Sequence, residues 1–222
     1  MKNIKKSWGQ IKYEIKYENP FIRLRNFLLS RRYPWLKPYN VWSGELDPKW
    51  KYKYLLIEPN TDGWMKLYFY PLMEEIRKRL KKYNYIKEYR IDQYKEKFGE
   101  MRLYDGGSPK ESGISDLINE YTVLSRNICL SCGRPDVGFT RGWIYPICKK
   151  CYKKNDMHKD QPYEEAINTK YTKMEDYHCY TRYSNDIKEK HEDDIRPLAN
   201  MLRKRWNRKH PFDKVELVNE QN

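Results

Sequence analysis

The chain has 222 residues and a formal net charge of +14. Hydrophobic residues make up 39% of it and aromatic residues 15%, including 21 Tyr and 7 Trp, so a core built largely of aromatic rings is expected. No apolar run approaches the length of a membrane span, and no apolar segment of a signal peptide follows the basic residues 1–6. These features predict one large or two small domains in the cytoplasm, with no membrane partner.

We interpret residues 1–49 as a basic N-terminal arm followed by an aromatic loop. Four apolar residues recur at helical spacing after Pro20, with arginines between and beyond them, which predicts a short basic amphipathic helix that ends before Pro34. Its apolar side could pack on the core, or the helix could contact nucleic acid or another anionic partner. The apolar residues of this helix are Phe21, Leu24, Phe27 and Leu28, and its arginines are Arg23, Arg25, Arg31 and Arg32. In the loop 33–50, we expect three tryptophans to hold the chain in place by packing: Trp35, Trp42 and Trp50.

Residues 50–128 are predicted to form an α+β core. A possible strand over 52–57 precedes a helix over about 64–83, with a break or first turn near Pro71. Two strands, about 86–96 and 100–104, are joined at Gly99. A helix over 113–126 follows, capped by Ser112. The buried stripes are Leu72, Met73, Ile76, Leu80 and Tyr83 in the first helix, and Ile114, Leu117, Ile118, Tyr121 and Leu124 in the second.

Four cysteines in the next segment, residues 129–155, carry the strongest signal in the chain. Cys129, Cys132, Cys148 and Cys151 have the spacing C-x2-C-x15-C-x2-C, which is typical of one structural Zn²⁺ held by four thiolates. Gly133 follows the first pair, where such turns often need a positive φ. The alternatives are two disulfides or chance. A hairpin within 137–144 returns the chain to Cys148; a helix starting near Cys151 would make the finger a treble clef, and its absence a zinc ribbon.

Residues 156–222 are interpreted as a helical C-terminal extension. Helices are predicted near 162–180 and 186–207, with a kink or a fresh start at Pro197, and the last residues, 213–222, are expected to fray. The stretch 156–194 contains 11 Asp or Glu. Cys179 has no obvious partner and is interpreted as an inert thiol, or else as a spare ligand or reactive group.

Catalytic chemistry finds little support in the sequence. A catalytic zinc keeps one coordination position for water, and four thiolates leave none. The 15 residues between the cysteine pairs contain no His or Asn that a nuclease would use, and no H-x-E element of a zinc deaminase precedes them. Glycine-rich nucleotide-binding motifs are also absent from the sequence. We therefore predict that the protein is not an enzyme.

Basic residues interleaved with aromatic ones predict contact with nucleic acid or another partner. Two alternatives explain these residues without a binding role. Trp143 could pack the finger against the preceding helix, and lysines could be abundant because the genome is rich in A and T. The predicted binding residues are Arg141, Lys149, Lys150, Lys153 and Lys154 in the finger, and Arg203, Arg205, Trp206 and Arg208 near the end.

Four stretches together resemble an uncharacterised zinc-finger family that is common in bacteriophages and in Firmicutes genomes carrying prophages. They are WSGELDPKWKYKYL (42–55), DGWMKLYFYPLMEEI (62–76), YRIDQYKEKFGEMRLYDGG (89–107) and the cysteine segment 129–151. The resemblance covers about residues 42–152 and implies a compact α+β zinc domain in a viral or mobile-element setting, without an established activity. The positions that match its motifs are Lys95, Glu96, Lys97, Phe98, Gly99, Arg102, Gly142, Trp143, Pro146, Cys148 and Cys151.

The sequence therefore predicts an α+β protein: a small helix–hairpin–helix core fused to a four-cysteine finger, with a basic arm and a helical extension. Our first hypothesis is a non-catalytic phage-type accessory protein that binds DNA or RNA, in the cytoplasm of an infected or prophage-carrying bacterium. The alternative is a protein-binding module, such as an inhibitor of a CRISPR-type host defence complex or a component of a viral assembly. The oligomeric state and the target do not follow from the sequence.

Overall fold

The computed structural model describes residues 19–40, 42–48, 50–56, 61–141, 144–154, 161–164 and 186–217, with the backbone alone for 186–195. The predictions for residues 1–18, Gly142, Trp143, Cys179 and most of the acidic stretch lie outside these ranges. The helices are α1 (Pro20–Arg32), α2 (Asp62–Trp64), α3 (Tyr70–Lys82), α4 (Ile114–Ser125), α5 (Lys149–Tyr152) and α6 (Asp186–Lys209), and the strands are β1 (Ile91–Lys97), β2 (Glu100–Asp105), β3 (Phe139–Thr140), β4 (Tyr145–Pro146) and β5 (Tyr163–Glu164).

The central element of the core is a continuous helical run from α2 to α3. A π-helical segment, Met65–Phe69, joins the two helices, and Pro71 lies in the first turn of α3. Proline lacks an N–H and its ring crowds the carbonyl four residues earlier, so a wider π turn is a natural way to admit it. The predicted break near Pro71 is therefore a change of helix type within an uninterrupted run. The buried side chains of this run are Trp64, Leu67, Tyr68, Phe69, Leu72, Met73, Ile76 and Leu80.

The β1–β2 hairpin and α4 pack against this run. The strands are antiparallel, with Tyr94 opposite Leu103, and the predicted stripe of α4 is buried at all five of its positions. Gly113, at φ +61°, precedes α4, and the Ile114 N–H donates to Ser112 Oγ at 3.4 Å. Residues 86–88 form a turn, so the first strand begins later than predicted. Helices with small antiparallel sheets place the protein in the predicted α+β class.

Helix α1 has the predicted span, but its apolar side does not pack on the core. Phe21, Leu24 and Leu28 are 80%, 56% and 57% exposed, whereas Asn26 and Ser30 are buried. The buried face is fixed by polar contacts, because Asn26 Nδ2 donates to the Tyr52 carbonyl at 2.9 Å. The packing alternative is therefore wrong for these three apolar residues.

The aromatic loop is pinned by two of its three tryptophans. Trp35 and Trp50 are buried, and Trp42 is 96% exposed. The possible strand over 52–57 is not present in its described part, since Lys51 and Tyr52 have φ values of +40° and +62° and the chain turns there.

Helix α6 returns the chain to the core. It continues through Pro197, so no fresh start occurs there. The residues after it were expected to fray, but Asp213 and Val215 are held: Trp206 Nε1 donates to the Asp213 carbonyl at 2.7 Å, and Asn207 exchanges two hydrogen bonds of 2.8 Å with the Val215 backbone. Among the described residues, we find no helix with the length and apolar character needed to cross a membrane.

Candidate metal centre

The first cysteine pair lies in a tight backbone turn directly after α4. The Cys129 N–H donates to the Arg134 carbonyl at 2.8 Å, and the Gly133 N–H donates to the Cys129 carbonyl at 2.9 Å. Gly133 has φ +86°, a conformation that residues with a side chain rarely adopt. This turn brings the sulfurs of Cys129 and Cys132 to one side of the backbone, as the glycine after the pair predicted.

The second pair lies at the start of helix α5, after the short strands β3 and β4. Cys148 is the N-cap residue, and its Sγ accepts a hydrogen bond of 3.4 Å from the Cys151 N–H. Strand β3 also pairs with β5, which makes a three-stranded sheet in the order β4–β3–β5. The Leu130 N–H donates to the Pro146 carbonyl at 3.0 Å, and this bond ties the two cysteine turns together.

The four sulfur atoms form one cluster. All of them lie within 4.8 Å of one another, and none belongs to a disulfide. Cys132 Sγ is 3.8 Å from Cys148 Sγ. Around a tetrahedral ion with metal–sulfur bonds of about 2.3 Å, neighbouring sulfurs would be about 3.8 Å apart. The donor set therefore fits one metal ion with four sulfur ligands, and the disulfide alternative is excluded for these cysteines.

Crowding of the thiols makes their protonation states interdependent. Hydrogen bonds with the Cys132, Cys148 and Cys151 thiols lower the pKa of Cys129 well below the usual range, because they stabilise its thiolate. Contact with Cys129 raises the pKa of Cys132 and of Cys151, and burial raises each further. Four negative thiolates at these distances repel one another strongly, so full ionisation requires a cation among them.

The finger is joined to the core by direct backbone contact. The Gly63 N–H in α2 donates to the Leu130 carbonyl at 2.7 Å, and Trp64 Nε1 donates to the Ile128 carbonyl at 2.9 Å. A Cβ atom at Gly63 would lie 2.2 Å from the Cys129 carbonyl oxygen, and one at Gly133 would lie 2.5 Å from the Gly63 oxygen. The absence of side chains at these two glycines is what allows the cysteine turn to dock on the start of the helical run.

Two ion pairs link the same turn to α6 and the residues after it. Arg203, which is 3% exposed, donates from Nη2 and Nε to the Asp136 carboxylate at 2.6 and 2.8 Å. Arg134 Nε lies 3.1 Å from Asp213 Oδ1. A buried bidentate pair fixes two elements relative to each other, so Arg203 has a structural role here.

The predicted binding residues divide into a buried and an accessible group. Arg203 and Trp206 are each 3% exposed and pack inside the protein, so they present no binding surface, unlike our expectation. Arg205 is half-buried and Arg208 is exposed. Arg141 is exposed but pairs with Glu164 of β5. The exposed lysines of the finger are Lys149, Lys150, Lys153 and Lys154.

The structure also brings the tip of the β1–β2 hairpin to the finger, which the sequence reasoning did not foresee. A Cβ atom at Gly99 would lie 2.7 Å from Ile144 Cγ2, just before β4. Phe98 and Tyr104 of this hairpin are 49% and 47% exposed. The alternation of basic and aromatic residues in YKEKFGEMRLY (94–104) was the available signal, but spacing alone could not show which side of the hairpin faces outward.

Comparison with known proteins adds no assignment: no protein-family model, no curated protein and no solved structure matches this chain. What the structure itself defines is an α+β protein with a four-cysteine cluster that could hold a metal ion.

Proposed function

We propose that the protein is a non-catalytic nucleic-acid-binding protein whose finger, of the treble-clef type, is folded by one structural Zn²⁺. Zn²⁺ is the metal that four thiolates in a tetrahedral arrangement favour, and with four sulfur ligands it has no position left for a reacting water. Its role would be to fix the two cysteine turns and to compensate the charge of the thiolates.

The observation that carries the binding proposal is the cluster of exposed lysines on and beside the helix that supplies two of the ligands. Lys149 and Lys150 follow the ligand Cys148, and Lys153 and Lys154 follow Cys151. All four lysines are exposed, and the described part of the finger contains one carboxylate, Asp136, which is paired with Arg203. Four lysines on and directly after such a short helix form a positive surface that suits a polyanion.

The test is fluorescence anisotropy with labelled single-stranded DNA, single-stranded RNA and duplex DNA over a range of salt concentrations. We expect affinity to fall steeply with salt. On single strands, the plot of log affinity against log salt concentration should be less steep by about 3 for the variant with all four finger lysines changed to Gln than for the wild-type chain. This assumes that each lysine contacts one phosphate.

The matched control carries the same change of charge elsewhere on the surface. Lys51, Lys78, Lys81 and Lys82 are exposed and lie outside the finger. Changing these four to Gln should leave most of the affinity and slope intact. A chain that binds none of the probes at low salt, or a control variant that weakens binding as much as the finger variant, would contradict the proposal.

A second candidate function, binding to a protein, is favoured by the exposed side of α1. Phe21, Leu24 and Leu28 share this side with Arg25 and Arg31, and the helix contains no acidic residue. Such a surface suits a partner that offers apolar and acidic side chains together. A complex purified from the host that survives nuclease treatment and is lost in the Leu24→Asp variant would support this function. Loss of every co-purifying protein on nuclease treatment would contradict it.

A further inference from the structure

The outward side of the β1–β2 hairpin is defined by the strand register. Gln93 is opposite Tyr104, and Lys95 is opposite Arg102. Directly opposed residues of an antiparallel pair lie on the same side of the sheet. The alternate positions Tyr94, Met101 and Leu103 are buried in the core, so the side with Lys95, Arg102 and Tyr104 is the one that faces away from it.

Each of the two exposed rings on this hairpin has an ammonium group over one of its two faces, which leaves the other face for a base. Lys95 Nζ lies 5.6 Å from the centre of the Tyr104 ring, and Lys97 Nζ lies 5.3 Å from the centre of the Phe98 ring. About half of each ring is exposed. A flat ring next to a cation is the arrangement with which proteins bind unpaired nucleotides, since the ring stacks on a base and the cation faces a phosphate.

The local charge is positive despite a carboxylate in the same row. Glu100 is only 3% exposed, and its carboxylate is paired with both Arg126, at 2.5 Å, and Arg102. Glu96, on the opposite side, is engaged through Oε1, which accepts from the Gly99 N–H at 2.6 Å. The ammonium groups of Lys95 and Lys97 therefore dominate the outward side.

Phe98 is an unusual residue for its position. Phe98 and Gly99 are the two turn residues and have φ values of +55° and +76°. Two-residue turns with both values positive strongly favour Asn-Gly, and a bulky residue there is locally unfavourable. Since half of the ring is exposed, burial offers only limited compensation. The turn and the core do not account for an aromatic residue here, whereas contact with a ligand would.

We propose that the exposed part of this outward side, made of Lys95, Lys97, Phe98 and Tyr104, is a stacking platform for single-stranded nucleic acid. The Phe98 and Tyr104 rings stack on unpaired bases, and the cations of Lys95 and Lys97 face the phosphates. A Cβ atom at Gly99, at the hairpin tip, would lie 2.7 Å from Ile144 Cγ2, so the platform lies next to the finger. This inference rests on the proposed function and specifies both the part of the surface that binds and the form of nucleic acid.

The decisive variant is Phe98→Asn, because the two possible roles of the ring predict opposite changes. Asn suits the left-handed conformation better than Phe, so the thermal midpoint should be unchanged or higher. Loss of one stacking ring should weaken binding to a labelled oligothymidylate about tenfold. Phe98→Tyr should keep both the thermal midpoint and the affinity. Ultraviolet cross-linking of the wild-type chain to an oligonucleotide containing 5-bromouracil should label peptides that contain Phe98 or Tyr104.

The control makes the same substitution at a fully exposed phenylalanine outside the hairpin, Phe212→Asn, and should not change affinity. If the wild-type chain binds but Phe98→Asn binds equally well, the platform is overturned while nucleic-acid binding stands. If Phe98→Asn lowers the thermal midpoint along with the affinity, the ring serves the fold and the platform is likewise overturned. If the wild-type chain binds none of the probes, the proposed function fails and the platform with it.

Discussion

Two glycines decide whether the cysteine turn can dock on the core. Gly63 and Gly133 face each other through backbone atoms, and neither has room for a methyl group. The sequence indicated only one of them: Gly133 follows a cysteine pair, which is a recognised turn position, whereas Gly63 stands in a helix start where nothing local requires glycine. The hydrophobic periodicity of one segment cannot show that its backbone closely approaches a distant segment.

We expect Gly133→Ala to destabilise the protein by about 3 kcal/mol, because a strained backbone angle and a steric overlap add together. Gly44→Ala is the matched control: Gly44 also has a positive φ, +68°, but no atom lies within 4 Å of its added Cβ, so only about 1 kcal/mol should be lost. Urea denaturation measures both values. Equal losses in the two variants would show that the contact with Gly63 does not matter.

The elements differ in how well their periodicity predicted their packing. For α4 the apolar stripe is the buried side, since the helix lies in the centre of the core. For α1 the same kind of pattern predicted the span, but packing of the apolar side on the core is wrong for Phe21, Leu24 and Leu28, because the buried side carries Asn26, which donates to the Tyr52 carbonyl. Helix α6 passes Pro197 because Ala199, Leu202 and Trp206 beyond it are held by burial, a tertiary effect that local rules omit.

The junction of α1 and α3 should make stability depend on pH. Arg32 Nε and the Tyr33 hydroxyl both donate to Glu74 Oε1 at 2.5 Å. The hydrogen bond from Arg32 is the main cause that lowers the pKa of Glu74 below its ordinary value of 4.5. A lowered pKa in the folded state means that the stabilisation is fully present above pH 4.5 and is lost as the pH falls below it.

Glu74→Gln should therefore lower the free energy of unfolding at pH 7 and reduce its decline between neutral and acid pH. Denaturation by urea at several pH values measures this. The control is Glu75→Gln, one position along, whose carboxylate pairs with Lys78 and Arg79 of its own helix. If the free energy of unfolding falls as steeply with decreasing pH in Glu74→Gln as in the wild-type chain, Glu74 is not the source of the pH dependence.

At the scale of the whole molecule, the four-cysteine cluster was the most predictable feature and the accessibility of the basic and aromatic residues the least. The spacing of cysteines along the sequence is a local property that indicates which sulfurs can reach one metal ion. The four sulfurs lie close together, as this spacing predicted. Whether a basic or aromatic residue is accessible depends on how distant segments pack. Arg203 and Trp206, in the most basic run of the C-terminal region, are buried, while the half-exposed Phe98 and Tyr104 were not predicted as binding residues.

Removal of the proposed Zn²⁺ should affect the entire protein. Binding of Zn²⁺ to such a site contributes on the order of 10 kcal/mol, which is comparable with the whole stability of a small protein. We expect Cys148→Ser, or treatment with a chelator, to abolish the cooperative thermal transition measured by circular dichroism, with loss of bound zinc by elemental analysis. Cys179→Ser is the same change at the fifth cysteine of the chain and should retain the zinc. A normal thermal midpoint in Cys148→Ser would contradict a folding role for the metal.

The backbone contact between Gly63 and Gly133 has a consequence for the protein in the cell. Because α2 and the cysteine turn touch without an intervening side chain, we expect the helical run to keep its final position only while the turn is formed. Chains synthesised during zinc starvation would thus be degraded as whole molecules, and a core lacking its finger should not accumulate. The amount of intact protein in the cell would then rise and fall with the zinc supply, without a partly folded form that lacks the finger.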